Sequence, residues 1–131
     1  MKNSIVLIVE DQADIRKLVR MTLSISNAEV FEAESGERGF MMARSLRPDV
    51  VLMDVMMPGD IDGYQACRKI KDDPNLRSTS VVMLTACGQK SDLVAGEAAG
   101  ADAYLVKPFS PLHLLDTVTE MEYKKSALLK L

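Results

Sequence analysis

The sequence predicts a doubly wound α/β fold, a five-stranded parallel sheet with five helices on its two faces. Three observations carry that expectation. Four short apolar runs rich in β-branched residues, at 5–9, 50–53, 81–84 and 103–106, read as strands buried on both faces. Segments of helical period separate them in strict alternation, the pattern of strands and crossover helices wound about a parallel sheet. The chain has 131 residues, the size of about one domain. A chain of that length buries roughly two-thirds of its extended surface, so it needs no disulfide or metal staple.

The elements follow in order. The run 5–9 is the first strand, and Ile15, Leu18, Val19, Thr22 and Leu23 after it share one helical face. A weaker run at 28–33 alternates apolar and acidic residues (Val30, Glu32) and suits a strand nearer the sheet edge. Phe40, Ala43 and Leu46 mark a second helix that stops before Pro48. A third helix runs from Gly63 toward Ile70, with Asp62 as its N-cap and Pro74 just past its end. A fourth covers about 91–99 with Gly100 as its cap. The fifth opens at Ser110 with Pro111 in its first position and carries Leu112, Leu115 and Val118.

Composition narrows the function. Apolar residues make up 47% and charged residues 27%, as in a globular protein. The net charge of −3 argues against nucleic acid as the direct partner, because phosphate binding needs a basic face. Two cysteines, Cys67 and Cys87, are too few for a disulfide framework, and with one histidine they make no zinc site. The N-terminal apolar run ends at Glu10 and Asp11, short of a signal peptide, and no stretch reaches the ~18 residues of a membrane span. A soluble cytoplasmic protein is expected.

Open α/β sheets place their sites beyond the carboxyl ends of the strands. There the chain has Glu10 and Asp11, then Asp54, then Thr85 and Ala86, then Lys107 and Pro108. Three carboxylates in one crevice repel one another, and a hard divalent cation such as Mg²⁺ relieves that with oxygen ligands. A carboxylate can also act as a nucleophile toward phosphorus. A cation, a lysine and a hydroxyl then each balance part of the charge on the transferring oxygens. The set reads as Mg²⁺-assisted phosphoryl transfer onto an aspartate.

The sequence resembles the receiver domain of two-component response regulators, chemotaxis regulators among them. The matching pieces are Ile5-Val6-Leu7-Ile8-Val9-Glu10-Asp11, Asp54-Val55-Met56-Met57-Pro58, Asp62-Gly63, Thr85-Ala86, Gly100-Ala101-Asp102 and Tyr104-Leu105-Val106-Lys107-Pro108-Phe109. They span about residues 4–121, in order, on the expected strand ends. The resemblance implies a flavodoxin-like sheet of order 2-1-3-4-5. It places the receiver over 1–121, with 122–131 a C-terminal helix extension or the start of a linker.

By the same resemblance, Asp54 is the phospho-acceptor, and Glu10, Asp11, Asp54 and the backbone carbonyl of Met56 hold Mg²⁺. Lys107 contacts the acyl phosphate, Thr85 moves toward it, and Tyr104 switches between inward and outward rotamers. The bond before Pro108 is cis. Met56 and Cys87 occupy the positions that tune dephosphorylation, and neither is an acid or amide that would orient an attacking water. The expected protein is a switch that catalyses only its own phosphorylation and autodephosphorylation, with slow loss of the phosphoryl group. Its expected partners are a histidine kinase or phosphotransfer protein, and a protein target or fused output domain reached through the face built from the fourth helix, fifth strand and fifth helix. A phosphorylation-dependent dimer is also compatible with the family, whereas direct contact with nucleic acid or membrane is not expected.

Competing classes fit less well. An aspartyl-nucleophile phosphohydrolase needs a second acid two residues past the nucleophile, where this chain has Met56. A nucleotide- or flavin-binding domain lacks its glycine-rich loop, since Glu10 and Asp11 follow the first strand. A degenerate receiver acting as a constitutive interaction module is opposed by the full acidic set with Thr85 and Lys107. One departure from the family is Gly59-Asp60-Ile61, where receivers usually carry one residue fewer. A surface loop tolerates that insertion, because closure entropy rises slowly with length.

Overall fold

The computed structural model describes residues 3–86 and 90–129. The order is β1 (Ile5–Val9), α1 (Ala13–Leu23), β2 (Glu29–Ala33), α2 (Gly36–Leu46), β3 (Val50–Asp54) and α3 (Gly63–Asp72). A 3₁₀ turn (Pro74–Leu76), β4 (Ser80–Thr85), α4 (Lys90–Ala99), β5 (Ala103–Val106) and α5 (Pro111–Leu129) complete it. All neighbouring strands pair in parallel, in the order β2-β1-β3-β4-β5.

Side chains on a strand alternate between faces, so a continuous apolar run serves two cores at once. Leu7, Val9, Val51, Met53, Val81 and Met83 face one way, against Ala43 of α2, Cys67 and Ile70 of α3, and Ala99 of α4. Val6, Ile8, Val50, Leu52, Val82 and Leu84 face the other way, against Val19 and Leu23 of α1 and Leu114, Val118 and Met121 of α5. Each of these larger aliphatic side chains, fully buried, contributes about 1.5–3 kcal/mol.

Local signals place the helix ends. The Asp62 carboxylate accepts from the Gln65 N–H at 2.8 Å, and the Gln65 side chain accepts from the Asp62 N–H at 2.8 Å, a reciprocal cap. Ser35 caps α2 by accepting from the Arg38 N–H at 3.2 Å. Gly100 follows α4 with a φ of 89°.

Two helix faces differ from the periodicity. Leu112 is 68% exposed, and α5 instead buries Leu114, Thr117, Val118 and Met121. The triad Leu112, Leu115, Val118 and the stripe through Leu114 share one flank, and the sheet takes the second. On α1, Leu18 lies at the rim of the buried stripe and is exposed. Val106 is exposed as well, because β5 is an edge strand. Among the described residues, no helix is long and apolar enough to cross a membrane.

Candidate functional site

Parallel pairing brings the ends of β1, β3, β4 and β5 to one edge. Asp54 is the last residue of β3, and the next N–H, of Val55, donates to the Leu84 carbonyl of β4 at 3.0 Å. Glu10 follows β1, and its N–H donates to the Ala33 carbonyl at 3.0 Å. Thr85 ends β4 and is buried, and its carbonyl accepts from the Lys107 N–H at 2.7 Å. The crevice is therefore built from backbone ladders, with side chains projecting from fixed points.

The Lys107 ammonium joins two of the carboxylates. Its Nζ donates to Glu10 Oε1 at 2.9 Å and to Asp54 Oδ1 at 3.0 Å. Glu10, Asp11 and Asp54 can bring one carboxylate oxygen each within 4.8 Å of one another. Asp11 is exposed, Asp54 is 5% exposed and Glu10 is fully buried. One ammonium against three carboxylates leaves an acidic excess.

That excess is visible in the electrostatics. Burial, and then the Asp54 carboxyl alongside, push the Glu10 carboxyl up to about 8, while Lys107 pulls it back down. The two carboxylates hold the Lys107 ammonium above its usual value, outweighing its own burial. Glu10 Oε2 is buried without a hydrogen-bond partner among the described residues. An orphaned carboxylate oxygen amid hard oxygen donors fits a divalent cation such as Mg²⁺.

The remaining expected residues lie as follows. The Lys107–Pro108 bond is cis. The Tyr104 ring lies over α4, where a Cβ on Gly96 would stand 2.3 Å from its Cε1, and its hydroxyl donates to the Leu93 carbonyl at 3.1 Å. Met56 lies just beyond Asp54 and is 76% exposed. Ala86 sits in an exposed bend after β4. Cys87 lies outside the described residues. Gly63 lies against Asp54 from behind, for a Cβ there would stand 2.0 Å from the Asp54 carbonyl oxygen.

Two residues escape sequence reasoning. Arg16 of α1 donates from Nη1 to the Glu10 carbonyl at 2.8 Å and from Nε to Glu32 Oε1 at 3.0 Å, so it ties β1 to β2 beside the crevice. Glu37 of α2 accepts from the Ile61 N–H in the loop after Asp54 at 2.8 Å. Both act on backbone groups, which leave no signature in sequence. The only cue for Glu37 is its place in the first turn of a helix, where an acidic residue is ordinary.

Known proteins share this architecture. The family model of the response regulator receiver domain matches residues 6–119. The transcriptional regulatory protein ResD of Bacillus subtilis (strain 168) is 42% identical over 106 residues, 81% of this chain and 42% of that protein. The chain thus spans less than half the length of that relative. The chemotaxis response regulator CheY4 of Vibrio cholerae superposes with a TM-score of 0.85 at 32% identity, covering 92% of this chain and 99% of that one. A CheY-like response regulator receiver domain protein from Methanospirillum hungatei JF-1 superposes with a TM-score of 0.88 at 25% identity, covering 96% and 98%.

Proposed function

The chain belongs to the response regulator receiver domains, and from that premise we propose a phosphorylation switch in which Asp54 accepts a phosphoryl group. The observation that carries this reading is the Lys107 ammonium held between Glu10 and Asp54, with Asp11 alongside, at the carboxyl edge of the sheet. The donor is a histidine kinase or a phosphotransfer protein. An Asp54 carboxylate oxygen attacks the phosphorus of a phosphohistidine. The new O–P bond forms as the N–P bond breaks, and its electron pair returns to the imidazole nitrogen.

Glu10, Asp11, Asp54 and the Met56 carbonyl are the groups that would hold Mg²⁺. When bound, the cation supplies positive charge against the transferring oxygens. Lys107 neutralises part of the same charge, and the Thr85 hydroxyl turns toward the new phosphoryl group. About two negative charges then sit on Asp54, which biases the α4-β5-α5 surface toward a second arrangement. Tyr104, which bridges β5 and α4 through Leu93, changes rotamer in that transition.

Output comes from a target that binds one arrangement better than the other. Val94, Val106 and Leu112 lie exposed on this surface and suit an apolar contact with a protein target, a fused output domain or a second phosphorylated copy. Nucleic acid is then contacted by such an output domain and not by this one. Met56 and Cys87 offer no group to orient water, so the phosphoryl group leaves slowly. The setting is the cytoplasm, and the only chemistry catalysed is the domain's own phosphorylation and dephosphorylation.

The test uses Mg²⁺ and acetyl phosphate, with intact mass read over time beside Asp54→Asn. One phosphoryl adduct is expected in the wild type, and none in the variant or in EDTA. No adduct, where a control receiver is modified, would favour a constitutive interaction module.

A further inference from the structure

The loop that carries the extra residue has a partner outside the crevice. Its two ends are fixed locally, Val55 by the Leu84 carbonyl at 3.0 Å and Asp62 by the Gln65 side chain at 2.8 Å. Its middle is held from α2. The Ile61 N–H donates to Glu37 Oε1 at 2.8 Å, and the Asp60 N–H also faces that carboxylate. Gly59 has a φ of 122°, a region that L side chains rarely adopt, and a Cβ there would stand 2.9 Å from Glu37 Oε2. A Cβ on Gly36 would stand 2.9 Å from Ile61 Cγ1, so the Ile61 side chain rests on the first residue of α2. The Glu37 carboxylate thus fills the bend of the loop. N–H donors from its own residue, Ile61 and Asp60 hold its carboxyl below the usual range.

We infer that Glu37 is a positioning residue of the phosphoryl-transfer site, clamping Asp60 and Ile61 and so fixing the loop that carries Met56 beside Asp54. The inference rests on the reading of Glu10, Asp11, Asp54 and the Met56 carbonyl as a cation site. A longer loop has more conformations to lose on ordering. The clamp removes part of them before a cation arrives, so the loop has less freedom left to lose when the Met56 carbonyl becomes a ligand. Outlying hydrogen bonds that orient metal ligands are worth about 10–100-fold in affinity.

The full chain, Glu37→Ala and Glu37→Gln would be titrated with Mg²⁺ by calorimetry. The Ile61 amide would be followed by NMR, and modification by acetyl phosphate measured against Mg²⁺ concentration. A glutamine oxygen still accepts from Ile61, whereas alanine offers nothing. Glu37→Ala is expected to weaken Mg²⁺ binding about 10-fold. It should slow modification at low Mg²⁺ and recover at saturation, and Glu37→Gln should restore most of the affinity. In the wild type the Ile61 amide resonance should move as Mg²⁺ binds. Equal Mg²⁺ affinity in all three proteins, or an Ile61 amide indifferent to Mg²⁺, overturns the inference. If the alanine variant does not fold, the glutamine variant and the wild-type amide decide. A wild type that binds no Mg²⁺ defeats the cation-site reading, and one that binds Mg²⁺ yet gains no phosphoryl defeats only the phosphorylation reading.

Discussion

Glu10 is a carboxyl held in the protein interior beside a second carboxyl, Asp54. It is fully buried, shares one oxygen with Lys107 and leaves the other without a hydrogen-bond partner among the described residues. Burial first, and Asp54 second, raise its carboxyl from 4.5 to about 8. The folded protein therefore holds this proton more tightly than the unfolded chain does. The stability linked to it is complete below about pH 4.5 and is lost as pH rises through about 8. Glu10→Gln stays neutral throughout. In EDTA the two melting curves should coincide near pH 4.5, and the variant should melt several degrees higher by pH 8. A gap that does not widen across that window defeats this account. If Glu10 belongs to the proposed cation site, Mg²⁺ added at the upper end should raise the wild type more than the variant.

At the scale of elements, α2 shows what a sequence does and does not reveal. Pro48 forbids the helix from continuing, which is legible directly. The cap that results is not legible. Arg47 takes a φ of 48°, left-handed for an L residue, while its N–H donates to the Ala43 carbonyl at 2.8 Å. That conformation costs roughly 1–2 kcal/mol, and glycine adopts it freely at a larger entropic loss. Arg47→Gly should therefore stabilise the protein by about 0.5–1 kcal/mol, read as a higher urea midpoint at unchanged slope. A lower midpoint would mean that the arginine side chain outweighs the strain. The cap of α3 is the opposite case, since Asp62 and Gln65 stand three apart and announce their pairing. In α5, Leu115 and Val118 fit either of two overlapping faces. Only the sheet selects the one with Leu114, leaving Leu112 in solvent. Glu10, Asp11, Asp54, Thr85 and Lys107 are legible as a group because parallel topology collects strand ends. Arg16 and Glu37 are not, because each meets a backbone atom, the Glu10 carbonyl and the Ile61 N–H, and a backbone atom carries no residue signature.

At the scale of the whole molecule, the acidic edge and the core should be coupled through a single folding equilibrium. Cys67 reports on that. It is buried in α3, with its thiol against the Ala99 carbonyl of α4 at 3.6 Å, and burial pushes the thiol up to about 12. The reactive form is the thiolate, so native Cys67 is inert at neutral pH and reacts only after the fold opens. A cation that binds only the folded state stabilises it by about 2.7 kcal/mol at one hundred times its dissociation constant. If opening is global, that excess of Mg²⁺ should slow labelling of Cys67 about 100-fold. The rate is read by peptide-resolved mass spectrometry under conditions where reclosing outpaces labelling. Glu10→Gln, which removes one carboxylate from the proposed cation site, should show less slowing. Suppose instead that Mg²⁺ raises the melting temperature but leaves the Cys67 rate untouched. The α3–α4 layer then opens by itself, and that side of the sheet is free to move without disturbing the crevice.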